Sequence, residues 1–250
     1  MKQNISIVRN LVIKQLKLKY KQSALGFLWS LLTPLAFLLI INFVFSQAFL
    51  TIKNYPLYVL TGLIFWQFFS NATNQSIQSF IHNASIIKTI NVKIELFPIA
   101  AVSAEVVALL FSFIPFLTLM YFFGLSFSWH FLLLIPALII FSTFAYSLGI
   151  ILGILNVFLR DVSILWNTLN PALFYLSPIA YNISIIPNNY LFFLKLNPLF
   201  HFFDVFRAIL YQNSFPSTES WLIILSLTIG LYFISKLVVY KLEKGIISTI

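Results

Sequence analysis

Cysteine is absent from this 250-residue chain, which excludes a disulfide framework, a zinc–thiolate knuckle and thiol chemistry. Charge is scarce. Only 8% of the residues are Asp, Glu, Lys or Arg and 60% are hydrophobic, where a soluble domain is about a quarter charged. A core of this size does not hide so much apolar surface from water, and the mean hydropathy is +0.97. Glycine is limited to seven positions, 26, 62, 124, 149, 153, 230 and 245. No two stand five apart, so the phosphate-cradling loop Gly-x-x-x-x-Gly-Lys-Ser/Thr is excluded. The three histidines, His82, His130 and His201, are far apart and form no HExxH motif. His201 and Asp204 share a helix face, but two ligands do not make a metal site; a local hydrogen bond is the simpler reading. No nucleophile–base pair is visible, so neither catalysis nor a bound cofactor is expected on this chain.

What is present is long apolar sequence. The alternation of an outer-membrane barrel is missing, so continuous helices must satisfy the backbone inside lipid. The class expected is an all-α integral membrane protein. Charges punctuate the chain. None falls between Lys21 and Lys53 or between Lys53 and Lys88, and between Leu96 and Arg160 there is only Glu105. At about 20 apolar residues per crossing, six transmembrane helices are predicted, near 25–49, 55–74, 96–122, 131–157, 162–179 and 221–240. The first run is too long for the apolar region of a cleaved signal, so it is expected to stay.

Six crossings put both termini on one side. That side holds Lys2, Arg9, Lys14, Lys17, Lys19, Lys21, Lys88, Lys93, Arg160, Lys236, Lys241 and Lys244, against Lys53, Lys195 and Arg207 on the other. This bias makes the termini cytoplasmic. It also assigns the net charge of +9 to inner loops and anionic headgroups, not to nucleic acid. Tyr55, Tyr58, Trp129, Tyr190 and Trp221 then fall near the outer interface. The segment 180–220 is too apolar for a solvated loop, and Pro178, Pro187 and Pro198 divide it. Two short re-entrant helices are expected there, with Asp204 and Arg207 spaced to pair.

Residues 1–22 show helical periodicity. Ile5, Val8, Val12 and Leu16 share one face; Asn10, Lys14, Lys17 and Lys21 share the opposite one. This describes an amphipathic helix in the cytoplasmic interface, with Lys19 out of place on the apolar side, snorkelling or facing a cavity. Its bland role is a basic anchor. Two further features stand inside spans. Glu105 is an intramembrane carboxylate, suited to interhelical hydrogen bonding or to function. "GIILG", Gly149 to Gly153, has the small-xxx-small form of close helix packing.

The stretch "LKLKYKQSALGFLWSLLTPL", Leu16 to Leu35, joins a basic Lys-Tyr-Lys-Gln-Ser element to Leu-Gly-x-Leu-Trp and a proline. In order after it come "GLIFWQFFSNATNQSIQSFIHNASIIKTINVKIELFPIAAV", "LNVFLRDV", "LSPIAYNISIIPNNY" with "LNPLFHFFDVFR", and the tail "KLEKGI". These five pieces are spread over nearly the whole chain, and their order resembles the permease subunits of bacterial polysaccharide-exporting ABC transporters, of the O-antigen, teichoic acid and capsule type. One departure is Ile94, where the family often has Arg before Glu95.

The resemblance implies a location in the bacterial cytoplasmic membrane. It implies a pore made with a second copy of the chain, and two separate ABC ATPase subunits carrying the ATP and Mg. The cargo implied is a glycan on a polyprenyl diphosphate. Lys17, Lys19, Tyr20 and Lys21 are then candidates to hold the diphosphate. The loop 81–97 resembles the coupling helix that docks on the ATPase, through Ile86, Ile87 and Lys88, with Arg160 and Asp161 contacting the ATPase or each other. Sugars stack on aromatic rings, so Phe27, Trp29, Trp166 and Tyr175 are candidates for the channel lining. Rival readings are a drug or lipid exporter of the same superfamily, a proton-coupled carrier using Glu105, and a membrane scaffold without flux.

Overall fold

A computed structural model describes residues 2–21, 23–89, 92–125 and 128–249; the side chains of Lys2, Tyr20, Phe27, Lys244, Ile247 and Ser248 are outside that description. The described chain is helical and contains no strand. Its α-helices are α1 (Lys2–Tyr20), α2 (Trp29–Phe45), α3 (Tyr55–His82), α4 (Ala84–Thr89), α5 (Leu96–Phe122), α6 (Leu134–Phe158), α7 (Asp161–Tyr175), α8 (Asn188–Lys195), α9 (Pro198–Leu210) and α10 (Thr218–Thr249). Among the described residues, three segments are long and apolar enough to cross a membrane: Leu96–Phe122, Trp129–Phe158 and Thr218–Glu243. Trp29–Phe45 is a shorter apolar helix. The chain is a multi-pass membrane protein.

α3 is the central element, packed against α2, α5, α6, α7 and α9. It starts after Asn54, whose backbone is left-handed at φ 52°, with a proline in its first turn. It does not fade at Asn74 but runs to His82. The polar tract after Asn74 reads as a span edge, yet Thr73, Ser76 and Ser79 are buried. They are small, and two of their hydroxyls donate to carbonyls of their own helix, Thr73 to Phe69 and Ser79 to Ser76. The side chains of this stripe are short, and α6 lies on it. A Cβ built on Gly149 would stand 2.5 Å from the Ser76 Cβ, and one on Gly153 would stand 2.9 Å from the Ser76 carbonyl oxygen. The "GIILG" motif is therefore the α3–α6 seam within one chain.

α9 is buried nearly all round, from Leu199 to Leu210 with Asp204 half-buried. Asn197 caps it by accepting the Leu199 N–H. Its phenylalanines join α3 and α6: Phe65 stacks on Phe206 with ring centroids 3.6 Å apart, and Phe141 packs on Phe202 and Phe206. Tyr55 and Tyr58 are likewise buried. Their hydroxyls donate to the Ala180 and Tyr181 carbonyls, tying the segment after α7 to the start of α3. Trp129 and Tyr190 remain exposed.

Candidate functional site: a cavity closed by an ion pair

α1 packs against α5. Its inward stripe is centred on Leu11, with Val8, Val12, Gln15 and Leu16 beside it, while Ile5 is exposed. Lys19 continues that stripe one turn further, which explains its place on the apolar face. Its ammonium donates to both oxygens of Glu105 at 2.7 and 2.8 Å. Glu105 is only 2% exposed, and Gln75 of α3 donates a second hydrogen bond to its Oε1. A lone carboxylate is costly to bury; here the charge is matched by Lys19, whose side chain keeps 31% of its surface exposed. Lys14 adds a second tie to α1, donating to Asn83 Oδ1 at the end of α3 over 3.1 Å.

The pair sits at one end of a cavity of about 610 Å³ walled by α2, α3, α5 and α7. Each helix contributes residues at helical spacing: Trp29, Thr33 and Phe37 from α2; Gln67, Ser70 and Asn71 from α3; Glu105, Ala108 and Ser112 from α5; Asn170, Phe174 and Tyr175 from α7. The wall is polar toward Lys19 and Glu105. It becomes apolar toward Ile40, Val44, Phe45 and Leu63. Trp66 meets Phe174 edge-to-face at 5.4 Å in the same wall.

The predicted site residues separate into groups. Trp29 and Tyr175 line the cavity. Trp166 does not; it is buried against Phe69. Tyr20 and Phe27 have side chains outside the described residues. Lys17 and Lys21 are exposed and, with Lys14, edge a shallow groove on the outward face of α1. The four-residue basic element is thus divided, with Lys19 turned inward and Lys17 and Lys21 outward.

In α4 the apolar pair is split as well. Ile87 is buried in the core and Ile86 half-buried, leaving Ser85, Lys88 and Thr89 exposed. Arg160 and Asp161 are both exposed at the start of α7 and do not pair with each other. Among the described residues the ion pairs are Lys19–Glu105 and Lys236–Glu95. The second answers the departure at Ile94, which is buried: Glu95 takes its cation from α10, at 2.7 Å.

Asp204 and Arg207, expected to pair, do not. Asp204 Oδ2 accepts from Ser220 at 2.8 Å. Arg207 donates to the Ile179 carbonyl at 2.9 Å and lies 3.9 Å from the Tyr58 ring centroid. The helix turn brings the two side chains near, but each finds a better-aligned partner from another segment. Tyr211 beside them donates to the Lys53 carbonyl. Burial pushes the Tyr181 and Tyr211 hydroxyls above the ordinary tyrosine value, with Arg207 pulling the other way. His201 contacts the Lys195 carbonyl at 2.9 Å, not Asp204, and no metal-binding cluster occurs among the described residues.

The sequence reading missed Gln75, Gln67, Asn71 and Asn170. The i, i+4 spacing of Gln67 and Asn71 in an apolar helix was an available signal; the position of Asn170 was not.

Comparison with known proteins identifies the family. The O-antigen export system permease protein RfbA of Klebsiella pneumoniae is 33% identical over 205 residues, covering 80% of this chain and 79% of that protein. The protein of the same name from Myxococcus xanthus is 28% identical over 220 residues, covering 84% and 82%. The capsule polysaccharide export inner-membrane protein CtrC of Neisseria meningitidis is 22% identical over 250 residues, covering 96% and 92%. The ABC-2 type transporter family matches residues 8–211, a range that holds most of α1, the Lys19–Glu105 pair, all four walls of the cavity and α9. This chain belongs to the ABC-2 type transporter family.

Proposed function

We propose that this chain is the permease subunit of a polysaccharide exporter in the bacterial cytoplasmic membrane. Two copies form the path, and two separate ATPase subunits hold the ATP and Mg. The cargo is a polyprenyl-diphosphate-linked glycan. The observation that carries this reading is the cavity, polar and aromatic along one half and approached by the basic helix α1. The functions for which the relatives are named, O-antigen and capsule export, agree with it.

In this reading α2, α3, α5, α6, α7 and α10 are the six crossings, α8 and α9 the re-entrant outer pair, and both termini are cytoplasmic. Lys17 and Lys21, with Tyr20 between them in sequence, meet the diphosphate at headgroup level. Lys19 is held by Glu105 and releases when α1 moves. The exposed face of α4, with Lys88, and the exposed Arg160 and Asp161 face the ATPase. ATP-driven closure of the ATPase pair shifts α4, and through the buried Ile87 it shifts the bundle.

The test is genetic and chemical. Deleting the gene removes the surface polysaccharide and leaves lipid-linked glycan accumulating in the cell, and a restored copy reverses both. Unchanged surface polysaccharide overturns the proposal. A reconstituted complex whose ATP hydrolysis answers small amphiphiles but not lipid-linked glycan makes it a drug or lipid exporter instead.

A further inference from the structure

Asn83 stands between the end of α3 at His82 and the start of α4 at Ala84, and only 6% of it is exposed. Its polar groups reach three helices. The side-chain amide donates to the Ser79 carbonyl of α3 at 2.8 Å. The backbone carbonyl accepts the Ile87 N–H of α4 at 3.0 Å. Oδ1 accepts from the Lys14 ammonium of α1 at 3.1 Å. One buried residue therefore joins α1 to the corner from which α4 departs.

α1 is one helix from Lys2 to Tyr20, held in two ways. An apolar stripe of Val8, Leu11 and Val12 packs on the core, and apolar contact is non-directional. Lys14 and Lys19 supply directional ties to Asn83 and to Glu105, about 140° apart around the axis at roughly 100° per residue. The two differ in strength. Lys19 meets a carboxylate through both oxygens, while Lys14 meets a neutral amide, and a pair of opposite charges is held more tightly than a charge and an amide. A load on α1 therefore parts Lys14 from Asn83 first.

We infer that the Lys14–Asn83 hydrogen bond is a restraint that keeps α1 seated while α4 is at rest, and that displacement of α4 withdraws Asn83 Oδ1 and lets α1 lift. The inference rests on the proposed function, in which α4 faces the ATPase, and goes beyond it by naming the contact that carries the signal to α1. Asparagine suits the corner because its amide donates and accepts at once. The bond to Ser79 fixes the side chain, and Oδ1 is thereby aimed at Lys14. Once the restraint is gone, α1 is held by the apolar stripe and by the exchangeable Lys19–Glu105 pair.

The chain has no cysteine, so Val12→Cys, on the half-buried face of α1, places a single thiol that reports lifting. The full complex with its ATPase subunits is reconstituted in vesicles. The rate at which a water-soluble maleimide modifies this chain is measured without ATP and with ATP trapped by vanadate. Trapping is expected to raise the rate about fivefold, the yield of one net hydrogen bond. Lys14→Met is expected to raise the rate without ATP about fivefold and to leave trapping with no further effect. Both rates stay below that of Ile13→Cys on the exposed face, so room for a further rise remains. Lys14→Arg keeps the donor and is expected to behave as the unsubstituted chain.

A rise on trapping that survives in full in Lys14→Met makes the contact a plain anchor and overturns the inference, whatever the rate without ATP. An unchanged resting rate in Lys14→Met, or a Lys14→Arg that matches Lys14→Met, also overturns it. So does a complex that hydrolyses ATP with no response at Val12→Cys. A complex that hydrolyses no ATP fails the proposed function itself.

Discussion

The two ends of the bundle bury a charge in different ways. At the α1 end, Glu105 is matched by a flexible lysine from a peripheral helix and by Gln75. At the α9 end, Arg207 is buried against the Tyr58 ring and the Ile179 carbonyl, both fixed by the packed core. The first arrangement has a partner that can leave, since the Lys19 side chain is partly exposed. The second has no moving part. A charge held by a backbone carbonyl and a ring face locks its segment, whereas one held by a mobile opposite charge can be exchanged when α1 moves. The α1 end is therefore the end at which motion is cheap.

Breaking the locked end gives the largest effect. Arg207→Ala removes a buried cation that ties α9 to the chain after α7, and is expected to cost about 3 kcal/mol or more, read as a lower thermal midpoint in detergent with export lost in parallel. Gly149→Ala tests the seam between the two ends. It forces a Cβ onto Ser76, and overpacking of this kind costs roughly 1–3 kcal/mol; both ends should loosen together in hydrogen exchange.

At the α1 end the effects divide. Glu105→Gln leaves Lys19 without its counter-charge and should cost about 1–3 kcal/mol, less than Arg207→Ala because the lysine head can turn to the cavity. The double replacement Lys19→Met with Glu105→Leu should recover most of that stability but not export, a separation that a double-mutant cycle measures. Equal recovery of export would make the pair purely structural. Smallest in stability are the exposed lysines. Lys17→Gln with Lys21→Gln should shift folding by no more than about 0.5 kcal/mol while lowering surface polysaccharide, and unchanged polysaccharide removes them from the proposed diphosphate contact.

Much of this was legible from local pattern. Charge-free runs marked α2, α3, α5, α6, α7 and α10, and the prolines at 187 and 198 marked the short helices α8 and α9. Periodicity identified Lys19 as the exception on α1. The same pattern misled where polarity is internal. "NATNQSIQS" reads as a fading span because hydropathy scores its side chains as if they met water; in the fold its Thr73 and Ser79 hydroxyls bond to the helix itself and α6 covers the stripe at Ser76. Asp204 and Arg207 read as a pair because i, i+3 spacing considers one helix alone, while Ser220 and Ile179 come from elsewhere.

By itself the sequence determined the class of the molecule: helical, membrane-embedded, with six of its fifteen basic residues in the first 21 positions and no phosphate-binding glycine loop of its own. Those properties follow from composition and from periods of a few residues, which are local. The tertiary structure alone decided which groups meet. Lys19 and Glu105 are 86 positions apart, and Asn170 stands 100 from Ser70. No local period carries information over such distances; only the packing of α1, α3, α5 and α7 brings these side chains to one cavity, and burial there makes their pairing energetically necessary.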